Sequence, residues 1–162
     1  VEQQGTMTFA APAGPFTVKA FADRIELASD GAAVMDFKTG AAPSAKQVKS
    51  GFAPQLTLTA AILADGGFKD TNGPVTPDEL TYVRVVGRKT AGEVITRASG
   101  AEAADLAQAA LDGLKRLVAK YDNESTPYLS WTAPQSIKNK GGNYDHLARV
   151  WEWSVIGDGD EE

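Results

Sequence analysis

One segment near the N-terminus constrains the fold more than any other, because it predicts a β-hairpin that carries acidic and basic side chains. Two alternating stretches, 22–26 and 34–40, flank the turn-forming residues Ser29-Asp30-Gly31. Short alternating stretches joined by such residues are typical of two antiparallel strands and a tight turn. Side chains alternate between the faces of a strand, so Asp36 and Lys38 share one face of the second strand.

The register of this hairpin has two alternatives. If Ser29-Asp30 forms a two-residue loop, Asp23 faces Asp36 directly. If Asp30-Gly31 forms the loop, which is the stronger hairpin signal, Asp23 faces Lys38 and Asp36 lies diagonally across. Either register places the two carboxylates and the lysine on the same face of the sheet.

Opposed carboxylates of this kind suit a divalent cation. Their Cβ atoms lie roughly 4.5–8 Å apart, and two bare charges at about 5 Å repel by about 3 kcal/mol at an effective dielectric near 20. Mg²⁺ is a hard ion that one or two carboxylates hold, with waters left over for chemistry. With a cation between Asp23 and Asp36, Lys38 would orient or help deprotonate the attacking water, or stabilise charge on a phosphate.

A solvated strand is the competing interpretation. An Asp-x-Lys alternation is also typical of any strand with one wet face. The position of Asp23 favours the interpretation as a metal site, because an acid on the apolar face of a strand needs a partner or a cation. The apolar residues that share its predicted face are Phe21, Ile25 and Leu27.

Several short motifs follow the hairpin in a fixed order. They are Ala-Asp-Arg-Ile-Glu at 22–26, Met-Asp-Phe-Lys-Thr-Gly at 35–40, Pro-Ser at 43–44, Gln-Val at 47–48, Gly-Phe at 51–52 and Pro-Gln-Leu at 54–56. This series resembles RecB-type nucleases of the PD-(D/E)XK superfamily, and most closely the C-terminal nuclease domain of AddB-type subunits of bacterial helicase-nucleases. Residues 142–150 are similar to the C-terminus of alphaproteobacterial members.

The resemblance implies a fold and a set of site residues. The fold is α/β and restriction-endonuclease-like, with a central mixed β-sheet flanked by helices. Asp23 and Asp36 match the metal-binding aspartates, Lys38 matches the catalytic lysine, and Gln55 matches the glutamine of the helical motif beside the site. Thr59 replaces the usual tyrosine four residues later and still shares a helix face with that glutamine.

The resemblance also implies an activity. We expect Mg²⁺-dependent hydrolysis of DNA phosphodiester bonds during double-strand break repair, with Mn²⁺ as a substitute metal and an AddA-like helicase-nuclease subunit as the partner. The alternative is a non-catalytic DNA-binding or scaffolding domain that retains the nuclease fold. Cysteine is absent, so we expect no cysteine-ligated iron–sulfur cluster of the kind found in some AddB-like domains.

One motif of the family is missing. Its first motif is a helix ahead of the strands that bears a histidine or glutamate, whereas this chain begins at Val1 and reaches a strand at 6–10 almost at once. The only histidine is His146. We therefore expect a nuclease domain over 1–156 that is a fragment of a larger protein, followed by an acidic tail over 157–162.

Composition adds few constraints. A chain of 162 residues fits one domain, and no stretch approaches the roughly 18 apolar residues that span a membrane. We expect a cytoplasmic protein. The net charge of −5 is unusual for a free-standing nucleic-acid binder, but a domain that receives DNA from a larger complex has less need of a basic surface.

The remaining periodicity predicts the other elements. Strands are expected at 6–10, 16–27, 33–38, 80–86 and 93–96, and helices from a Ser44 cap to Lys49, over Gln55–Ala64 and over Ala101–Tyr121. The leucine-rich stripe of the last helix predicts core packing. Trp131, Trp151 and Trp153 are expected to pack a tail against the domain rather than to stack on bases.

Overall fold

The structure, a computed structural model, describes residues 2–87 and 92–128. The strands are β1 (Gln3–Ala11), β2 (Gly14–Ala22), β3 (Arg24–Leu27), β4 (Ala32–Lys38), β5 (Pro77–Arg84) and β6 (Glu93–Ser99). The helices are α1 (Ala45–Lys49), α2 (Gln55–Ala64) and α3 (Ala101–Tyr121), with a short 3₁₀ turn at Lys69–Thr71.

The strands form two sheets. β1 and β2 pair as an antiparallel hairpin, and the second sheet has the order β3-β4-β5-β6. Within it β4 and β5 are parallel, while the other two pairs are antiparallel. A parallel pair needs a crossover connection, which α1 and α2 provide. The predicted α/β fold with a central mixed sheet flanked by helices is confirmed.

The single strand predicted over 16–27 is wrong, because the chain changes partners at Asp23. Ala22 pairs with Gln3 of the hairpin, whereas Arg24 pairs with Met35 of β4. Asp23 lies between the two sheets, outside both ladders. The apolar alternation shifts phase at this point, from Phe16 and Val18 to Ile25 and Leu27, but a phase shift does not show with which strand each half pairs.

The β3–β4 hairpin adopts the register in which Ser29-Asp30 forms the loop. The Ala28 N–H donates to the Gly31 carbonyl at 2.8 Å, so the Asp30-Gly31 loop that carried the stronger signal is wrong. Gly31 has another role, because a Cβ atom there would lie 2.7 Å from the Thr76 carbonyl oxygen. The glycine permits close approach of the segment that leads into β5.

Helix α1 begins as the sequence predicts. The Ser44 hydroxyl accepts a hydrogen bond from the Gln47 N–H, and the Gln47 side chain accepts one from the Ser44 N–H at 2.8 Å. This reciprocal capping box satisfies two amide groups that a helix N-terminus leaves without partners. It fixes the direction in which the chain leaves β4 towards α2.

Helix α2 is the centre of the core. It packs against α3 and against strands of both sheets, β1, β2, β4 and β5. Its buried residues are Leu56, Thr57, Thr59, Ala60, Ala61, Ile62 and Leu63. A helix that is apolar on nearly all sides has to be surrounded by other elements, so the position of α2 between the sheets and α3 follows from its sequence.

Helix α3 has the predicted bounds, but its apolar stripe is less covered than core packing requires. Ala103 and Ala107 are its buried residues, and Leu117 is 55% exposed. In the described part of the chain no helix has both the length and the apolarity to cross a membrane.

The chain divides into a compact unit over Val1–Asn123 and a second unit over Glu124–Glu162. The predicted motif at 142–150, the three tryptophans, the boundary at 156 and the acidic tail lie outside the described residues.

Two valines test the assignment of the core. Val34 in the centre of β4 is 1% exposed, whereas Val94 on β6 is 69% exposed. Val34→Ala should lower the free energy of unfolding by about 2–3 kcal/mol, since it removes two buried methyl groups and leaves a cavity. Val94→Ala should change it by less than about 0.5 kcal/mol. Urea denaturation of both variants measures the difference, and equal losses would contradict this core.

Candidate active site

The site begins at the carboxyl end of β4. Side chains of this strand alternate, so Val34, Asp36 and Lys38 lie on the face that meets α2. Asp36 is 4% exposed, which is unusual for a carboxylate. Lys38 is the last residue of the strand, and its side chain keeps 28% of its surface exposed. The local sequence therefore buries the acid and leaves the base at the rim.

Lys38 connects β4 to the start of α2. Its Nζ atom lies 2.7 Å from Oδ2 of Asp36 and donates a hydrogen bond to Oε1 of Gln55 at 2.9 Å. Gln55 is the first residue of α2 and follows Pro54 at the N-cap. The ammonium group is thus held between a carboxylate of the sheet and an amide of the helix.

Asp23 reaches the same place from the junction between β2 and β3. Its Oδ2 atom accepts a hydrogen bond from the Phe37 backbone N–H at 2.8 Å. This bond fixes the carboxylate beside β4 at the point where the β3–β4 ladder ends. Asp23 lines one narrow crevice together with Asp36, Gln55 and Thr59.

Asp23 does not lie on a buried apolar face, so this prediction from the sequence is wrong. Phe21 and Leu27, which share the predicted face, are both 56% exposed. Asp23 is itself half-buried. Its partner is the backbone N–H of Phe37, so its position does not by itself require a metal.

The carboxylates influence each other electrostatically. Burial, chiefly, raises the pKa of Asp36 above its ordinary 3.8, and the negative charge of Asp23 raises it further. The Lys38 ammonium group opposes both effects. A desolvated acid beside a second acid is an arrangement found at functional sites more often than elsewhere.

Tyr82 on β5 completes the arrangement. It pairs in register with Asp36, it is fully buried, and Lys38 Nζ lies over its ring at 5.8 Å from the centroid. Burial and the charge of Asp36 raise the pKa of Tyr82 to about 12, and Arg97 opposes the shift. The sequence predicts a strand there, but only the parallel pairing of β4 with β5 shows that this tyrosine lies beneath the lysine.

The donor set fits a divalent cation held by two carboxylates. Oδ2 of Asp36 is buried, and apart from its ion pair with Lys38 it has no aligned hydrogen bond to the described residues. Carboxylate oxygens are the ligands that Mg²⁺ prefers, and it needs only one or two of them. Within 2–87 and 92–128, no three His, Cys, Asp or Glu residues group closely enough to form a metal site.

The four residues singled out in the sequence therefore converge. Asp23, Asp36 and Gln55 line one crevice, and Lys38 bonds to two of them. Thr59 lies in the crevice wall and is 3% exposed. His146 lies outside the described residues.

The raised pKa of Asp36 predicts a pH-dependent stability. A carboxyl group whose pKa is raised in the folded state does not lower the free energy of unfolding at pH values below its unfolded-state pKa of 3.8. It lowers that free energy increasingly as the pH rises towards the folded-state pKa. Without metal, Asp36→Asn should therefore match the wild type in acid and should equal or exceed its Tm at pH 7. Thermal unfolding in chelator between pH 3 and 8 measures this. A lower Tm for Asp36→Asn at pH 7 would make the carboxylate a structural requirement.

Comparison with known proteins agrees with this geometry. A family model described as the PD-(D/E)XK nuclease superfamily matches residues 1–130. An uncharacterized protein of Rickettsia conorii is 38% identical over 52 residues, which are 32% of this chain and 6% of that protein. An uncharacterized protein of Rickettsia felis is 37% identical over 67 residues, 41% of this chain and 7% of that protein.

The chain thus aligns with only a small part of these relatives, and no solved structure matches it. The family match, by contrast, extends over most of the chain and includes the whole crevice. The chain belongs to the PD-(D/E)XK nuclease superfamily.

Proposed function

We propose that this chain is a metal-dependent DNA nuclease domain whose active site consists of Asp23, Asp36, Lys38 and Gln55. The observation that carries the proposal is the ammonium group of Lys38, which lies 2.7 Å from the Asp36 carboxylate and 2.9 Å from the Gln55 amide oxygen. On a strand face that is merely exposed to solvent, nothing would require both a carboxylate and an amide oxygen to contact the same lysine. Membership of a nuclease superfamily supplies the class of reaction.

The carboxylates would hold the metal. Asp23 and Asp36 would bind Mg²⁺, with Mn²⁺ as a substitute, because both are hard cations that prefer carboxylate oxygens. A cation bound there would neutralise the phosphate and lower the pKa of an attacking water. Asp36 contributes a buried charge, and Asp23 contributes a carboxylate held in place by the Phe37 N–H.

Lys38 would act on the phosphate or the water. Its ammonium group can stabilise negative charge as it develops on the phosphate oxygens and can orient the attacking water. Only the neutral amine form of the same side chain can accept a proton from that water. Gln55 carries no charge and has no ionisable proton. Its amide oxygen would hold the lysine in the orientation that the reaction requires.

The finer proposal concerns the larger protein. We infer a RecB-type nuclease of the AddB kind, active in cytoplasmic double-strand break repair with an AddA-like partner. The order and spacing of the motifs at 22–26, 35–40 and 54–56 support it. On this proposal, 1–156 is the nuclease domain and 157–162 is an acidic tail.

A non-catalytic DNA-binding or scaffolding domain is the second candidate. One observation favours it, namely that the described residues supply two carboxylates but no third ligand of the His, Cys, Asp or Glu type. Such a domain would retain the fold and the Lys38 contacts without binding a cation.

Substitution of Lys38 tests the mechanism. In the full-length protein, Lys38→Ala should lower the single-turnover rate of DNA cleavage in Mg²⁺ by roughly two to four orders of magnitude, since it removes charge stabilisation present mainly in the transition state. Lys38→Arg should not restore the full rate, because a planar guanidinium group does not replace a compact ammonium group.

Lys49 is a matched control. It also pairs with a carboxylate, that of Glu102 at 2.6 Å, but the pair is half exposed and joins α1 to α3. Lys49→Ala should leave the cleavage rate within about twofold of the wild type, the change expected of an exposed ion pair. A Lys38→Ala rate within a few-fold of the wild type would make Lys38 a solvated residue.

Metal binding separates the two candidate functions. By calorimetry, the full-length protein should bind Mn²⁺, Asp36→Ala should abolish binding, and Lys38→Ala should retain or strengthen it because a positive charge has gone. The isolated 162-residue chain should bind weakly and cleave poorly. Absence of Mn²⁺ binding to the full-length protein would favour the non-catalytic domain.

A further inference from the structure

Tyr82 is a buried aromatic residue beneath the site. Tyr82 lies opposite Asp36 in the parallel β4–β5 pair, and its side chain is completely buried. Lys38 Nζ lies above the ring, 5.8 Å from its centroid. The ammonium group therefore has three neighbours: a carboxylate, an amide oxygen and an aromatic face.

These three contacts attract the ammonium group through different chemical groups. Asp36 and Gln55 attract the ammonium group through oxygen atoms, and the same oxygens are available to other cations and to water. The face of an aromatic ring carries partial negative charge and attracts a cation within about 6 Å of its centroid, but it is a poor ligand for Mg²⁺. A ring beneath the lysine can hold it without competing for the metal.

Lysine requires such support more than most side chains. Its stem is flexible, and its charge is free to adopt many positions. Tyr82 cannot move in response, because it is packed in the interior beside Leu80 and the other buried residues of the core. A rigid surface below a flexible cation restricts where that cation can be.

We propose that Tyr82 is a positioning residue for Lys38, and that it acts through its aromatic face rather than through its hydroxyl group. This inference rests on the proposed nuclease function only for its kinetic consequence. The contact itself exists whether or not the chain cleaves DNA.

The hydroxyl group of Tyr82 is buried and has no hydrogen-bond partner among the described residues. Removing an unsatisfied buried polar group is nearly neutral or stabilising. Tyr82→Phe should therefore keep the ring, the fold and the function, which makes it the conservative variant, whereas Tyr82→Leu removes the ring.

The kinetic test is a double-mutant cycle in the full-length protein. Tyr82→Leu should lower kcat for DNA cleavage roughly threefold to thirtyfold, the range that the strength of a cation–π contact allows, with KM unchanged within about twofold. Tyr82→Phe should stay within about twofold in both constants. In a Lys38→Ala background, Tyr82→Leu should have no further effect, because interacting residues are not additive.

A second buried aromatic residue provides the control. Phe68 is 1% exposed and packs against Gly5 of β1. It follows the C-terminal end of α2, whereas Gln55 begins that helix. Phe68→Leu should lower the Tm as a packing defect does, yet leave kcat unchanged well below that Tm. If Tyr82→Leu does not fold, Tyr82→Met provides the same comparison with an unbranched side chain that fills irregular space.

An NMR measurement tests the contact without activity. The ε-methylene signals of Lys38, assigned by their loss in Lys38→Ala, should be shifted upfield by the ring in the wild type and in Tyr82→Phe. They should return to the usual lysine position in Tyr82→Leu. If the wild type does not cleave DNA but shows this shift, the proposed function fails and the positioning contact stands.

Three results would overturn the inference. Lys38 signals that do not respond to loss of the ring would show that the contact does not exist. Equal kcat losses in Tyr82→Leu and Tyr82→Phe would assign the effect to the hydroxyl group. Additive losses of Tyr82→Leu and Lys38→Ala would show that Tyr82 acts through general packing.

Discussion

The site depends on the burial of α2. This helix is apolar on nearly every side and packs against both sheets and α3. Its N-terminus therefore cannot shift without disturbing the whole core, and Gln55 at that terminus is held beside the carboxyl end of β4. The hydrogen bond from Lys38 to Gln55 follows from this arrangement. Core packing and the geometry of the site are one constraint.

Burial of the polar residues of the site lowers the free energy of unfolding, and the packing of α2 offsets this loss. Asp36 is a buried carboxylate whose ordinary preference is for water, and its raised pKa records that cost. Lys38 compensates part of it from the rim, and a backbone N–H keeps Asp23 nearby. A protein that keeps two acids in one crevice and a base at its rim retains strained electrostatics of the kind that functional sites show.

Much of this was predictable from local pattern. The strand that carries Asp36 and Lys38, the capping box at Ser44 and the bounds of α2 and α3 follow from alternation, helix periodicity and end signals. The motif resemblance correctly indicated the superfamily and brought Gln55 into consideration.

Long-range facts were not predictable in the same way. The change of partner at Asp23 separates two sheets within one run of strand-forming residues. Gly31 resembles a turn glycine, yet it permits the approach of Thr76. The position of Tyr82 beneath Lys38 depends on the parallel pairing of two strands that are about forty residues apart in the sequence. Each of these depends on which segments meet, and a short sequence window does not contain that information.

We propose that Asp23 and Asp36 hold a divalent cation beside Lys38. The decisive experiment is a crystal structure of the full-length protein grown in millimolar Mn²⁺, with data collected at the manganese absorption edge. An anomalous peak is expected within about 2.0–2.3 Å of an oxygen of each carboxylate, with Lys38 still bonded to Gln55. Well-ordered density for both aspartates with no anomalous peak between them would rule out the cation site.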